Sequence, residues 1–150
     1  MFAWSDFEAS APELAARGRS LLERFEFVFV GTIRPDGGPR INPCEAYVLD
    51  GHLLLNMMPR SLKALDLLRD DRVYLHTPVT AKADNEGEFK LVGRALVCED
   101  ARLRTLLDDL FWRTIEWRPA PDSHYFDIDV ERAAYVNYVD GEQLLERWRR

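Results

Sequence analysis

The chain has 150 residues, 47% of them apolar, which suits one domain burying roughly two-thirds of its unfolded surface. Its 20 lysines and arginines against 26 acidic residues give a net charge of −6 with no basic cluster dense enough to track a phosphate backbone, which argues against nucleic acid as a partner. Cys44 and Cys98 suit neither a disulfide framework nor a zinc site, Asp6, Glu8 and Glu13 stand where a signal peptide would be basic and then apolar, and no apolar run approaches the ~18 residues of a membrane span; a cytoplasmic protein outside the membrane is expected.

Ser10-Ala11-Pro12-Glu13 offers an N-cap, a first-turn proline and an acid suited to the helix dipole, and predicts a helix over about 11–24. From Phe25 the pattern changes to period two. Phe25, Phe27, Phe29 and Ile33 share one side, and Glu26, Val28, Val30, Thr32 and Arg34 share the other, so the strand has one wholly apolar face and one mixed face. Pro35-Asp36-Gly37-Gly38 supplies a hairpin turn, Arg40 to Leu49 the returning strand, and Asp50-Gly51 a second turn into His52 to Met58. A helix follows from Ser61 to Arg69, then a strand Val73 to Thr77. A further strand ends near Ala81, and a turn at Asn85-Glu86-Gly87 leads to a longer strand, Glu88 to Cys98, with Gly93 marking a bulge or bend. Asp100 caps a helix over Ala101 to about Trp117, Pro119 and Pro121 end it, and strands Tyr125 to Val130 and Ala133 to Tyr138 precede a charged tail, Glu142 to Arg150. Six or seven short strands joined mostly by hairpins predict a mainly antiparallel α+β barrel, closed or nearly closed to hide its edges, with helices outside.

His52, His76 and His124 are isolated from other metal ligands, so structural or surface roles are the plainer reading, and no metal site is expected. No G-x-S-x-G elbow, Walker loop or G-x-G-x-x-G follows a strand, and the carboxylates fall mostly in turns and at helix ends. One cluster stands out. Arg60, Ser61 and Lys63 open a helix, where unpaired amides and the dipole already favour an anion such as a phosphate monoester. On spacing alone the plainer reading, Ser61 as an N-cap beside two solvated cations, is the stronger. The neighbourhood raises the anion site: Arg40 on the adjacent strand could point the same way, and Cys44, Asn56 and Met58 suit the side of a flat aromatic ligand.

Gly31-Thr32-Ile33-Arg34-Pro35-Asp36-Gly37-Gly38-Pro39-Arg40-Ile41-Asn42-Pro43, Ser61-Leu62-Lys63, Leu68-Arg69-Asp70-Asp71-Arg72-Val73 and Gly93-Arg94-Ala95 together resemble the pyridoxamine 5′-phosphate oxidase-like, FMN-binding split barrels. The likeness spans about Phe25 to Glu99. It implies one split-barrel domain over 1–150 and a homodimer with FMN in a groove between subunits. The phosphate would be held by Lys63 and Ser61, with Arg40 or Arg60. The ring would be bordered by the strands carrying Asn42, Pro43 and Cys44 and Asn56, Met57 and Met58. Asp71 stands where the family often has proline, and Asn56 and Met57 replace hydroxylated or aromatic residues. The tail Arg147-Trp148-Arg149-Arg150 lacks the R-x-H pattern of true pyridoxamine phosphate oxidases, so oxidation of that vitamer is disfavoured. The expected function is a flavin-dependent oxidoreductase acting on a small-molecule redox substrate, with no side chain required as acid or base. The alternatives are a non-catalytic dimeric carrier or sensor of flavin, deazaflavin or haem, the last using His52 or His124 as axial ligand, and a relative that has lost its ligand.

Overall fold

The computed structural model describes residues 1–81 and 86–150. The elements run α1 (Trp4–Ser10), α2 (Pro12–Phe25), β1 (Phe27–Ile33), β2 (Pro39–Leu49), β3 (His52–Met57), α3 (Leu62–Arg69), β4 (Arg72–His76), β5 (Glu88–Val97), α4 (Ala101–Ile115), β6 (His124–Val139) and β7 (Glu142–Arg149). Every pairing is antiparallel. The strand order β3-β2-β1-β4-β5-β6 closes on itself through β3 and β6, giving a six-stranded barrel, and β7 extends the sheet beyond β6. Closure leaves β7 as the exposed edge, as a strand-rich chain needs.

The barrel interior takes one residue in two from each strand: Val28 and Val30 of β1, Leu53 and Leu55 of β3, Val73 and Leu75 of β4, Phe89 and Leu91 of β5, Phe126, Ile128 and Val130 of β6. On β1 the mixed face therefore turns inward, with Thr32 2% exposed, while Phe27 and Phe29 of the wholly apolar face stay 47% and 45% exposed. Gly93 sits opposite Val130 while Val92 sits opposite Arg132, so Glu131 is the extra residue of a β-bulge. A Cβ on Gly93 would lie 2.1 Å from the Asp129 carbonyl oxygen, which is why no side chain fits there.

Four expectations change. A helix precedes the expected one: α1 is held by Trp4 and Phe7, both fully buried and packed edge to face at 5.3 Å. The two last strands are one, because the bulge at Glu131 bends β6 without interrupting it. The charged tail is β7, paired with β6 from Arg132↔Arg149 to Val139↔Glu142 and pinned by Trp148, which packs 4.9 Å from Phe7 and 5.5 Å from Phe2. No strand covers residues 78–81. The turn expected at Asn85 begins outside the described residues.

Outside the barrel, α4 covers β2, β3 and the start of β6: Leu103, Leu107 and Phe111 pack on Leu54, Cys98 and Tyr125, with Tyr47 and Leu49 at the margin. Asp100 caps this helix through the backbone amides of Arg102 (2.8 Å) and Leu103 (3.4 Å). The outer face of β1, β4, β5 and the second half of β6 has no such cover among the described residues. Cross-strand pairing puts Ile41, Gly31, Tyr74, Val92 and Arg132 in one row across it, with Phe29 and His76 in the next.

Candidate functional site

The short link from β3 to α3 positions the candidate anion site. Met58 carbonyl accepts the Ser61 amide at 3.1 Å, and Arg60 takes φ +62°, so the chain reverses in four residues before the helix begins. Ser61 is the N-cap, its carbonyl accepting the Leu65 amide at 3.0 Å, yet its hydroxyl makes no capping hydrogen bond. The first-turn amides and this hydroxyl are thus left to an outside acceptor. Lys63 reaches across to β2 and donates from Nζ to the Pro43 carbonyl at 2.8 Å.

Four expected residues meet here. Beside the Lys63–Pro43 contact, the Cys44 thiol donates to the Asn56 carbonyl at 3.5 Å, and Asn56 Nδ2 donates to the His124 carbonyl at 3.4 Å. Burial pushes the Cys44 thiol up to about 11, with Lys63 opposing, so it stays protonated near neutrality and is no nucleophile. Burial also raises Glu45, the next residue on β2. Arg60, Asn42 and Pro43 are exposed, and Met58 is 66% exposed. Met57, 2% exposed, and Cys44, 4% exposed, both belong to the barrel core.

Arg40 has a different employer. Its Nε donates to Asp66 Oδ2 at 2.6 Å, and the same carboxylate accepts from Thr32 Oγ1 at 2.9 Å and from Arg69 Nη1 at 3.4 Å. Asp66 is on the inward face of α3 and 2% exposed. Burial pushes its carboxyl upward, but the hydrogen bonds from Arg40, Thr32 and Arg69 outweigh that and hold it below the usual carboxylate range. This network clamps α3 to β1 and β2. Spacing alone gave no sign of it, since Asp66 reads as an ordinary helix carboxylate and the helical repeat Leu62, Leu65 and Leu68 is the exposed side of α3, whereas Asp66 shares the buried side with Ala64 and Leu67.

On the uncovered outer face a cavity of about 880 Å³ is lined by Phe29, Ile33, Arg40, Ile41, Tyr74 and Val92 among others. The histidines are placed apart. His76, at this cavity's margin, has Nδ1 2.6 Å from the Thr77 carbonyl and Nε2 3.1 Å from Glu88. His52, half-buried, has Nδ1 2.7 Å from Asp127 Oδ2, and His124 stacks on Phe126.

A closed antiparallel barrel with a helix N-terminus opening beside a broad apolar face defines the class: a split-barrel α+β fold. The family model described as pyridoxamine 5′-phosphate oxidase matches residues 14–137, and the chain belongs to that family. Among solved structures it is similar to a heme binding protein from Mycobacterium smegmatis, at 17% identity and TM-score 0.71, covering 91% of this chain and 57% of that one, so it spans little more than half that protein's length. It is similar to General Stress Protein 26 from Bacillus anthracis, at 20% identity and TM-score 0.63, covering 86% and 95% of the two chains. A third, a putative pyridoxamine 5′-phosphate oxidase from Listeria innocua, aligns at 14% identity and TM-score 0.64 over 77% of this chain and 92% of that one. No curated protein sequence matches. At these identities the likeness is one of fold.

Proposed function

We propose that the protein is a homodimeric FMN-dependent oxidoreductase of this family, its substrate a small molecule other than pyridoxamine phosphate. The observation that carries the reading is the Ser61 hydroxyl, free of its expected capping bond, at a helix N-terminus beside Lys63 and Arg60. The residue types fit a phosphate monoester: a hydroxyl and first-turn amides open the helix, Lys63 is in its first turn and Arg60 directly precedes its N-cap, with Glu45 of β2 the carboxylate whose charge Lys63 also feels. When bound, FMN supplies the electron or hydride transfer. Asn42, Pro43, Asn56 and Met58 border the ring and exclude water, Cys44 supports β2 from the core beneath them, and Lys63 is oriented for its task by the Pro43 carbonyl. Arg40 and Met57 act from behind, Arg40 by fixing α3 through Asp66 and Met57 by filling the core under β3. The uncovered Phe27, Phe29 and Ile41 give the second copy its docking face, since a patch this apolar is otherwise an aggregation hazard.

Lys63→Ala tests the phosphate assignment: FMN affinity falls by about 1.5 to 3 kcal/mol with thermal stability retained. Unchanged affinity removes Lys63 from the site. A second reading, haem in place of flavin, draws on the similar heme binding protein and on His52, whose Nδ1 is fixed by Asp127 in the manner of a metal-ligating histidine. A Soret band that His52→Ala abolishes would select it.

A further inference from the structure

Two pairs of arginines face each other across neighbouring strands. Arg72 of β4 is directly opposite Arg94 of β5, and Arg132 of β6 is directly opposite Arg149 of β7. Like charges opposed in this way repel unless something neutralises them. The first pair is neutralised: Arg72 meets Asp70 at 2.6 Å, and Arg94 meets Asp71 at 2.6 Å and Glu131 at 3.2 Å. The second pair has no carboxylate at ion-pair distance among the described residues, and neither does Arg147, two residues back along β7 on the same side of the sheet. In a chain of net charge −6, three unmatched guanidinium groups are gathered at one place.

With Lys90, which is paired with Glu88, they surround a cavity of about 400 Å³ whose floor is mostly apolar. Val92, opposite Arg132, and Tyr74, opposite Val92, continue the row across the sheet, and Ala134 lies opposite Arg147. The arginines of β7 are not on a loose tail. Trp148 between them turns inward and stacks on Phe2, which sets Arg147 and Arg149 on the outer side. An apolar floor, planar cations on a paired strand and missing counter-charge belong together.

We propose that this cavity binds an aromatic organic acid. Its anionic group sits between Arg132 and Arg149, where paired guanidinium forks match a carboxylate, sulfonate or phosphate, and its flat body lies on Val92, Ala134 and Tyr74. Arg147 takes a second acidic group where the ligand has one. This site shares no side chain with the turn at Arg60–Lys63 and does not depend on which cofactor the protein holds.

The test is isothermal titration calorimetry of the full chain, in its solution oligomeric state, with naphthalene-2-sulfonate and the uncharged naphthalene-2-sulfonamide. The sulfonate is expected to bind about tenfold or more tightly than the sulfonamide. Arg132→Gln/Arg149→Gln is expected to lose about tenfold of that affinity, Arg147→Gln to weaken it measurably, and Arg72→Gln, in the neutralised pair, to leave it within about twofold. The double variant is also expected to unfold at equal or higher urea at low ionic strength, because a repulsion is removed. Lys63→Ala leaves sulfonate binding unchanged, so loss of the FMN reading and loss of this one are told apart. Equal binding of the two probes, no binding of either, or wild-type sulfonate affinity in both the double variant and Arg147→Gln overturns the assignment.

Discussion

Replacing Asp66 by alanine tests the clamp that holds α3, and with it the proposed phosphate site, to the barrel. The carboxylate is 3% exposed as a side chain and Arg40 19%, so the substitution strands a largely buried guanidinium and leaves the Thr32 hydroxyl without its acceptor. Breaking a buried pair costs about 3–5 kcal/mol in general. Arg40 keeps some access to water, which places Asp66→Ala at about 2–3 kcal/mol, or roughly 5–10 °C in a chain of this size. Asp66→Asn keeps the shape and one acceptor and costs about half that. The acid side carries a further signature. The folded carboxyl lies below its unfolded value of about 3.9, so its stabilisation is fully present above that pH and is lost as pH falls through the lower folded value; Asp66→Asn removes this part of the acid-side slope. Urea unfolding from pH 3 to 7 of wild type, both variants, Arg40→Ala and Arg40→Ala/Asp66→Ala provides the assay, with the double variant losing about 1 kcal/mol or more less than the sum of the singles. A change under about 0.5 kcal/mol for Asp66→Ala, or strict additivity, refutes the clamp.

Gly93→Ala pushes a methyl into the Asp129 carbonyl at the bulge and is expected to cost about 3 kcal/mol or more, measured by urea unfolding. Thr32→Val removes one donor from Asp66 at nearly constant volume, with about 1 kcal/mol lost and FMN affinity little changed. Phe29→Glu puts a charge on the uncovered face and is expected to raise the dimer dissociation constant about a hundredfold by sedimentation equilibrium, with the monomer still folded; an unchanged dimer moves the interface elsewhere.

Much of the barrel is legible in the sequence because its turns announce themselves: Asp36-Gly37-Gly38 and Asp50-Gly51 fix two hairpins, and both Gly37 and Gly51 take positive φ. The side of β1 that faces the core is not legible from alternation, since Phe27 and Phe29 outweigh Val28, Val30 and Thr32 in hydrophobicity; which face is inside depends on α4 covering only part of the sheet. α1 is hidden because its start lacks a capping side chain and its stability comes from Trp4 and Phe7 packing on distant Phe89. β7 reads as a charged tail because Arg147 and Arg149 face outward, Glu142 and Glu146 interrupt the other side, and its main inward anchor is a single Trp148. At the site, the turn at Arg60–Lys63 is visible from local spacing, whereas the diversion of Arg40 to Asp66 joins residues 26 apart and needs the fold.

The most direct measurement is the absorbance spectrum of the purified protein, taken before and after saturation with FMN and again after desalting. The proposed function requires flavin bands that survive desalting in wild type and are lost in Lys63→Ala; a Soret band, or no retained chromophore after FMN is added, contradicts it.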